Sequence, residues 1–480
     1  MSFCISRQKF NSIVAMFVIL LFQISIGLKA MGVTSNVDQM LIIISWVSFI
    51  GFICEIILWK YLAGELLCPY IVFIFVLFIF CCGQSVGWTL GIDLGGQDLW
   101  FRHDFGMNHL WLIKGMVYST LGVSLFHMGA IMFYKGENPQ KSFYNSEDVL
   151  ATYKIIAKPL LILCIPAFLA NAIRTVLAVA VGGYGAYYTA MESQSAILTV
   201  LSYIDDYYEP CLLLLLLAYR DKKQYRTVII VLMLLETVCQ LYIGGRSGAV
   251  MTVLGIMLAI HYFIKPFQGK SILKWGCLGY FGLALLNAIQ ETRNMIGRGV
   301  SDIFAAIGAS FFNAIGHFVG ELGWSMSSTV WTMMLVPRQY DYRYGVSYLA
   351  SLLVPIPNLG FWKVHPAKIY ANVGDWLEEV LHYDHGIGYS MTAESYINFG
   401  WAGLIVMFIF GAVLVRFLAN TRRTDAEENI LGATFQIMII MTIMKSLVRS
   451  SFSNSLRAIV YVLIPLYIII TQVLARRKCE

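Results

Sequence analysis

Apolar runs of about 20 residues recur from one end of this chain to the other. That is the length an α-helix needs to cross a bilayer, and about twice that of a membrane β-strand. In lipid, every backbone N–H and C=O must find its partner within the protein, so runs of this length leave helix as the local solution. Composition agrees. Of the 480 residues, 58% are hydrophobic and 13% charged, against about a quarter charged in a soluble domain. The expected fold class is an all-α polytopic membrane protein. About twelve spans are expected, over 10–30, 37–58, 66–90, 110–134, 155–178, 195–219, 227–243, 249–264, 272–289, 400–419, 430–444 and 458–474. The first run follows Arg7 and Lys9 without a small-residue cleavage site, so it reads as a spanning helix and not as a removable signal.

The placement of charge matters more than the net value of +6. With Arg7 and Lys9 inside, Lys60, Lys135, Lys141, Lys154, Arg220, Lys222, Lys223, Arg226, Lys265, Lys270, Arg422, Arg423, Arg476, Arg477 and Lys478 all fall on the same side. Both termini are therefore expected in the cytoplasm. Residues 91–109 and the long segment 291–399 are expected outside. That long segment is mixed in polarity and rich in aromatics, so it reads as an ordered cap inserted between spans nine and ten of a single transmembrane domain. Within it, Tyr342–Arg343–Tyr344–Gly345 and Pro355–Ile356–Pro357–Asn358 carry turn chemistry. None of the ten cysteines lies in the cap, which excludes a disulfide framework there.

Ionisable residues at membrane depth are costly and mark candidate sites. Arg174, Arg246, Arg293, Arg298, Lys445, Arg449 and Arg457 all fall near outer helix ends, against the positive-inside bias. Either acids such as Asp205, Asp206, Glu236 or Glu291 compensate them, or an anionic ligand does. The planar fork of arginine suits phosphate oxygens. Asp205, Asp206 and Glu209 sit halfway along the sixth span before Pro210 and read as a kinked helix whose acids pair with Arg174 or another buried base, in preference to a proton or ion relay. His127 and His261 read as core residues. His382 and His385 make a His–x–x–His among carboxylates, but further well-spaced ligands are missing, so no metal is expected. The outer loops hold no Asp–x–Asp pair of the kind that carries a sugar nucleotide on a divalent ion. No Walker-type loop is present. No cofactor and no nucleic-acid partner is expected.

The stretch from His385 to Gly403, HGIGYSMTAESYINFGWAG, resembles the Wzy family of O-antigen and related polysaccharide polymerases. There, a Gly-rich, Ser-containing turn enters a span through acid–x–Tyr–x–Asn–Phe–Gly. Gly244–Gly245–Arg246–Ser247 is similar to an outer Gly–x–Arg turn of that family. Tyr344–Gly345–Val346–Ser347–Tyr348, followed by Pro355–Ile356–Pro357, is similar to its loop before the catalytic region. The resemblance covers the second half of the chain. It implies a GT-C-like glycosyltransferase that moves a growing glycan from undecaprenyl diphosphate onto a lipid-linked repeat unit. Membrane lipid and a chain-length regulator are the further partners it implies. A diphosphate leaving group needs fixed positive charge where negative charge develops. Arg246, Arg293, Arg298, Arg449 and Arg457 are the candidate ligands, with Arg174 in support. Glu394 and His385 are the candidate acid–base residues, with Asp384, His382 and Asp375 behind them. The competing expectations are an O-antigen ligase, which uses the same donor, and a lipid-oligosaccharide flippase. A flippase is expected to show pseudo-repeated halves, which this chain lacks.

Overall fold

The computed structural model describes residues 6–33, 35–101, 109–136, 144–192, 195–292, 295, 299–356, 362–383 and 387–479. Among these, every regular element is a helix. In chain order they are α1 (Arg7–Met31), α2 (Val37–Ala63), α3 (Pro69–Leu90), α4 (Leu110–Phe133), α5 (Ser146–Glu192), α6 (Ala196–Asp205) and α7 (Tyr208–Ala218). There follow α8 (Lys223–Tyr242), α9 (Arg246–Phe263), α10 (Lys270–Thr292), α11 (Val300–Ser310), α12 (Ala314–Gly323), α13 (Met326–Leu335) and α14 (Val346–Ser351). The rest are α15 (Val373–Leu381), α16 (Met391–Phe399), α17 (Gly403–Leu418), α18 (Ile430–Thr442), α19 (Met444–Arg449), α20 (Phe452–Ala458) and α21 (Ile464–Cys479).

The chain divides into two compact units. The first is Met1–Asn138, Gly316–Asn420 and Ser446–Arg457. Local chemistry sets its helix ends. Ser6 caps α1 by accepting from the Lys9 amide at 3.3 Å. Pro69 opens α3, where its missing N–H costs nothing. The core is aliphatic and joins α1, α2, α4, α13 and α16 through residues such as Met16, Leu41, Met116, Val330 and Ile397. Between α4 and α17 the backbones touch. A Cβ added at Gly411 would meet the Phe126 carbonyl oxygen, and one at Gly129 the Phe408 carbonyl oxygen. With lipid as apolar as leucine, such close approach of small residues is what holds membrane helices together.

The second unit is Pro139–Ile315, Thr421–Lys445 and Ala458–Glu480. Its long helix α5 contains Pro159 and Pro166 and loses helical geometry at Gly183. The segment expected as one span at 195–219 is two helices, broken at Asp206–Tyr207. Asn171 Nδ2 on α5 donates to Asp205 Oδ2 at the end of α6 at 3.0 Å. Phe168 and Tyr208 stack with ring centres 4.4 Å apart. On the basic side, Arg220 makes a two-pronged ion pair with Glu427, each bond 2.8 Å.

Nine helices among the described residues are long and apolar enough to cross a membrane, or ten if the bent pair Ser301–Ala309 with Phe311–Leu335 is one span. The protein is therefore a multi-pass membrane protein. Ser247–Phe263 and Leu273–Ile289 are apolar but shorter. These two and the broken α6–α7 pair account for the difference from the twelve expected runs. The bent pair lies inside the segment expected to form the cap.

Candidate active site

Helix α16 is placed by its first turn. Ser390 caps it, accepting from the Ala393 amide at 3.1 Å, a cap worth about 1 kcal/mol. The same hydroxyl lies 3.0 Å from both Ser328 Oγ and Thr329 Oγ1 on α13. Thr392 Oγ1 is 2.9 Å from Thr329 Oγ1, and Tyr389 Oη is 3.0 Å from Thr332 Oγ1. This buried lattice of hydroxyls leaves α16 little freedom to slide on α13.

One turn into α16 stands Glu394, only 2% exposed. Ser347 Oγ donates to its Oε1 at 2.8 Å. The Phe452 amide at the start of α20 donates to its Oε2 at 2.8 Å. A buried carboxylate is tolerable only with such a shell. Asn398, one turn on, donates from Nδ2 to Ser347 Oγ and to the Glu394 carbonyl, both at 2.8 Å. Its Oδ1 accepts from the Gly345 amide at 3.0 Å. The Arg343 and Tyr344 amides donate to the carbonyls of Ile397 and Asn398, at 2.9 and 3.0 Å. Thus the segment 343–347 is stitched to the C-terminal half of α16. Gly400 ends the helix with φ 57° and ψ −135°, a region open in practice to glycine alone. A Cβ there would also sit 2.9 Å from Tyr342 Oη.

That stitching holds Arg343 in the wall of a cleft of about 450 Å³. Its Nη1 donates to the Tyr370 carbonyl at 2.9 Å, and its guanidinium lies 5.3 Å from the centre of the Trp376 ring. Burial holds this guanidinium below its ordinary range, while Tyr389 and Glu394 act in the opposite direction. Burial likewise pushes the phenols of Tyr348 and Tyr389 up, so both stay neutral near pH 7. Opposite α16, the Ser451 hydroxyl accepts from the Gly374 amide and lies against Asn372 Oδ1, each at 3.3 Å. Glu394, Arg343, the start of α15 and the turn before α20 therefore form one packed assembly.

The sequence model of the family described as O-antigen polysaccharide polymerase Wzy matches residues 12–478 of this chain. The chain belongs to the Wzy polymerase family. No curated protein and no solved structure matches it. Membership makes it a polysaccharide polymerase of O-antigen biosynthesis that acts on lipid-linked repeat units in the inner membrane.

The residues expected to form the site of this Wzy polymerase are distributed as follows. Glu394, Arg449 and Arg457 lie in the first unit. Arg449 stands 5.6 Å from the centre of the Phe80 ring, with its Nε against Gly388. Asp375, in the first turn of α15, accepts from Asn372 Nδ2. Burial raises its carboxyl, opposed by Lys368 and Asn372. His382 ends α15 with φ 54°. Arg174 and Arg246 belong to the second unit, Arg174 on α5 and Arg246 at the first position of α9. Arg293, Arg298, Asp384 and His385 lie outside the described residues. Among the described residues, no three His, Cys, Asp or Glu are grouped to hold a metal ion. Arg343 was not expected at the site. Its sequence signal is a basic residue between two tyrosines in a turn that ends in glycine.

In the second unit, Thr252 Oγ1 donates to Glu209, and Glu236 lies against Glu209. Glu236 Oε1 accepts from Gln240 Nε2 at 3.2 Å. Its buried Oε2 has no hydrogen-bond partner among the described residues.

Proposed function

We propose that this chain extends a glycan carried on undecaprenyl diphosphate by transferring it onto the terminal sugar of a new lipid-linked repeat unit. In this reading the reaction takes place on the outer face of the cytoplasmic membrane, with both termini inside and the segment 291–399 forming the outer cap of a GT-C-like bundle. Twelve crossings follow if α6–α7, α9 and α10 each span alongside the nine long helices. Support for the orientation comes from the one-sided placement of lysine and arginine.

The observation that carries the assignment of the site is the hydrogen-bonded unit of Glu394, Ser347, Asn398 and the Phe452 amide, which presents Arg343 in an open cleft. The acceptor hydroxyl oxygen forms a bond to the anomeric carbon of the donor. The bond from that carbon to the diphosphate breaks, and undecaprenyl diphosphate leaves with the electron pair. The hydroxyl proton passes to a base. Each oxygen of Glu394 accepts a bond that ties the Arg343 segment or α20 to α16, from Ser347 and from Phe452, so we assign Glu394 as a positioning residue. His385, the other acid–base candidate, takes the proton. Negative charge on the leaving diphosphate is met by guanidinium groups, for which Arg449, Arg457, Arg246, Arg293, Arg298 and Arg174 are the candidates. Fixed cations of this kind do the electrostatic work of an ion, so the reaction is read as metal-independent.

A strain lacking the chain tests the function. Its surface glycan should stop at single repeat units. A glycan with no repeat attached would instead mean a ligase, and absence of exported repeats a flippase. Purified protein should polymerise lipid-linked repeat units in excess EDTA; activity lost there and restored by magnesium or manganese would overturn the mechanism. For topology, Asn358→Cys should react with an impermeant thiol reagent in cells or spheroplasts. Labelling at Thr424→Cys instead would invert the orientation.

A further inference from the structure

The cleft at Arg343 presents aromatic faces as well as charge. Its lining is Tyr342, Arg343, Tyr344, Val346, Ile369 and Tyr370. Tyr344 is 73% exposed and Tyr370 49%. Rings this size bury 150–250 Å² when they are used for packing, and these two leave much of that surface open. Tyr344 also has φ of 48°, a left-handed conformation that a residue with a Cβ adopts at a cost. The hydrogen bond that its N–H donates to the Asn398 carbonyl, 3.0 Å long, holds it there. The backbone carbonyl of Tyr370 accepts from Arg343, so both rings are carried on backbone that Arg343 and α16 fix.

Three ligand classes fit a membrane enzyme of this kind, and the lining separates them. An isoprenoid tail wants a continuous apolar wall, but Arg343 stands in this one. A free diphosphate wants several converging cations, and the lining contains a single guanidinium, part of whose donor set is already given to Tyr370. A sugar ring has one face of C–H groups and a rim of hydroxyls. The first matches an exposed tyrosine face, and the second matches phenols and the remaining N–H groups of Arg343. The volume, about 450 Å³, lies in the range of small-molecule sites.

We propose that this cleft is a saccharide subsite, in which Tyr344 and Tyr370 stack on sugar rings and Arg343 donates to their hydroxyl oxygens. It rests on the polymerase reading only for the identity of the glycan: the saccharide moiety of the repeat unit, with lipid and diphosphate bound elsewhere.

The test uses the full chain in nanodiscs. One probe is the oligosaccharide released by mild acid from the lipid-linked repeat unit of the same strain; the other is undecaprenyl phosphate. By saturation-transfer NMR and calorimetry, the lipid-free oligosaccharide should bind the native protein. Tyr344→Ala and Tyr370→Ala should each weaken it about fivefold, the scale of one aromatic contact. Tyr344→Phe and Tyr370→Phe should restore most of the affinity, while undecaprenyl phosphate binding stays unchanged in all four. No binding of the free oligosaccharide, or loss of undecaprenyl phosphate binding in the alanine variants, overturns the proposal. Polymerisation kinetics separate this failure from that of the enzyme reading. A protein that polymerises with unchanged KM in both alanine variants keeps the function and loses the subsite. A protein that binds the oligosaccharide through these tyrosines but never polymerises it keeps the subsite and loses the function.

Discussion

Two glutamates buried in this protein live in opposite surroundings. In the first unit, Glu394 has a donor on each carboxylate oxygen, Ser347 on one and the Phe452 amide on the other. In the second, Glu236 has Gln240 on one oxygen, no partner among the described residues on the other, and Glu209 as a neighbour. Burial alone is therefore a poor guide to a site. A carboxylate with a complete shell that also fixes a cleft is a built feature, because each donor had to be placed by a different element. A carboxylate facing another carboxylate with an oxygen unmet is a polar group that the bundle tolerates.

The largest effect is expected at Glu394. Glu394→Ala leaves the Phe452 amide and the Ser347 hydroxyl without their acceptor, about 3 kcal/mol for the pair. It should lower both the folded protein in the membrane and the polymerisation rate, the latter by more than about 100-fold. Glu394→Gln keeps the shape and one acceptor oxygen. If Glu394 positions the Arg343 segment, polymerisation per folded protein should fall less than about tenfold. A loss of roughly 10²–10⁴-fold with normal protein level would instead make Glu394 the general base.

Gly400→Ala comes next. It acts on the same assembly without removing any of its hydrogen-bonding groups. A Cβ at φ 57° and ψ −135° is strained and meets Tyr342 Oη, at a cost of roughly 1–3 kcal/mol. The melting temperature of the purified protein should fall by several degrees. An unchanged melt would mean that the end of α16 is looser than its hydrogen bonds imply.

How far this contrast is legible in sequence depends on how local its causes are. The long helices were, because lipid forces every backbone bond to close within the segment, so length and polarity decide. The break at Asp206–Tyr207 was less so, as it depends on neighbours such as Asn171 and Phe168 from α5. Glu394 was singled out through the resemblance carried by the stretch from His385 to Gly403, where an acid precedes Tyr396, Asn398 and Gly400. Arg343 was not. Its partners are the Tyr370 carbonyl, the Trp376 ring and the Ile397 carbonyl. All lie tens of residues away, and no periodicity links a loop residue to them.

Arg343→Lys tests whether the cleft uses the guanidinium as a fork or as a charge. An ammonium keeps the charge but cannot hold the Tyr370 carbonyl, stay near the Trp376 ring and donate to a ligand at once. The kcat/KM for the repeat unit should drop about tenfold, equivalent to roughly 1.4 kcal/mol, and Arg343→Ala should drop further. Full activity in the lysine variant would remove Arg343 from the site and leave Glu394 with a purely structural shell.

The smallest effect is expected at Glu236, and it is the one that most directly tests the contrast. A carboxylate oxygen without a donor, held against Glu209, contributes little that an amide would not. Glu236→Gln keeps an acceptor for Gln240 and brings an N–H that Glu209 can accept from. Thermal stability in detergent should stay level or rise by up to about 1 kcal/mol, with polymerisation within about twofold of the native rate. A clear loss of stability would mean that the unmet oxygen is satisfied in the working protein. A polymerisation loss beyond tenfold with normal stability would make the Glu209–Glu236 pair a second functional centre. Either result would place Glu236 in the same class as Glu394 and erase the distinction between a built carboxylate and a tolerated one.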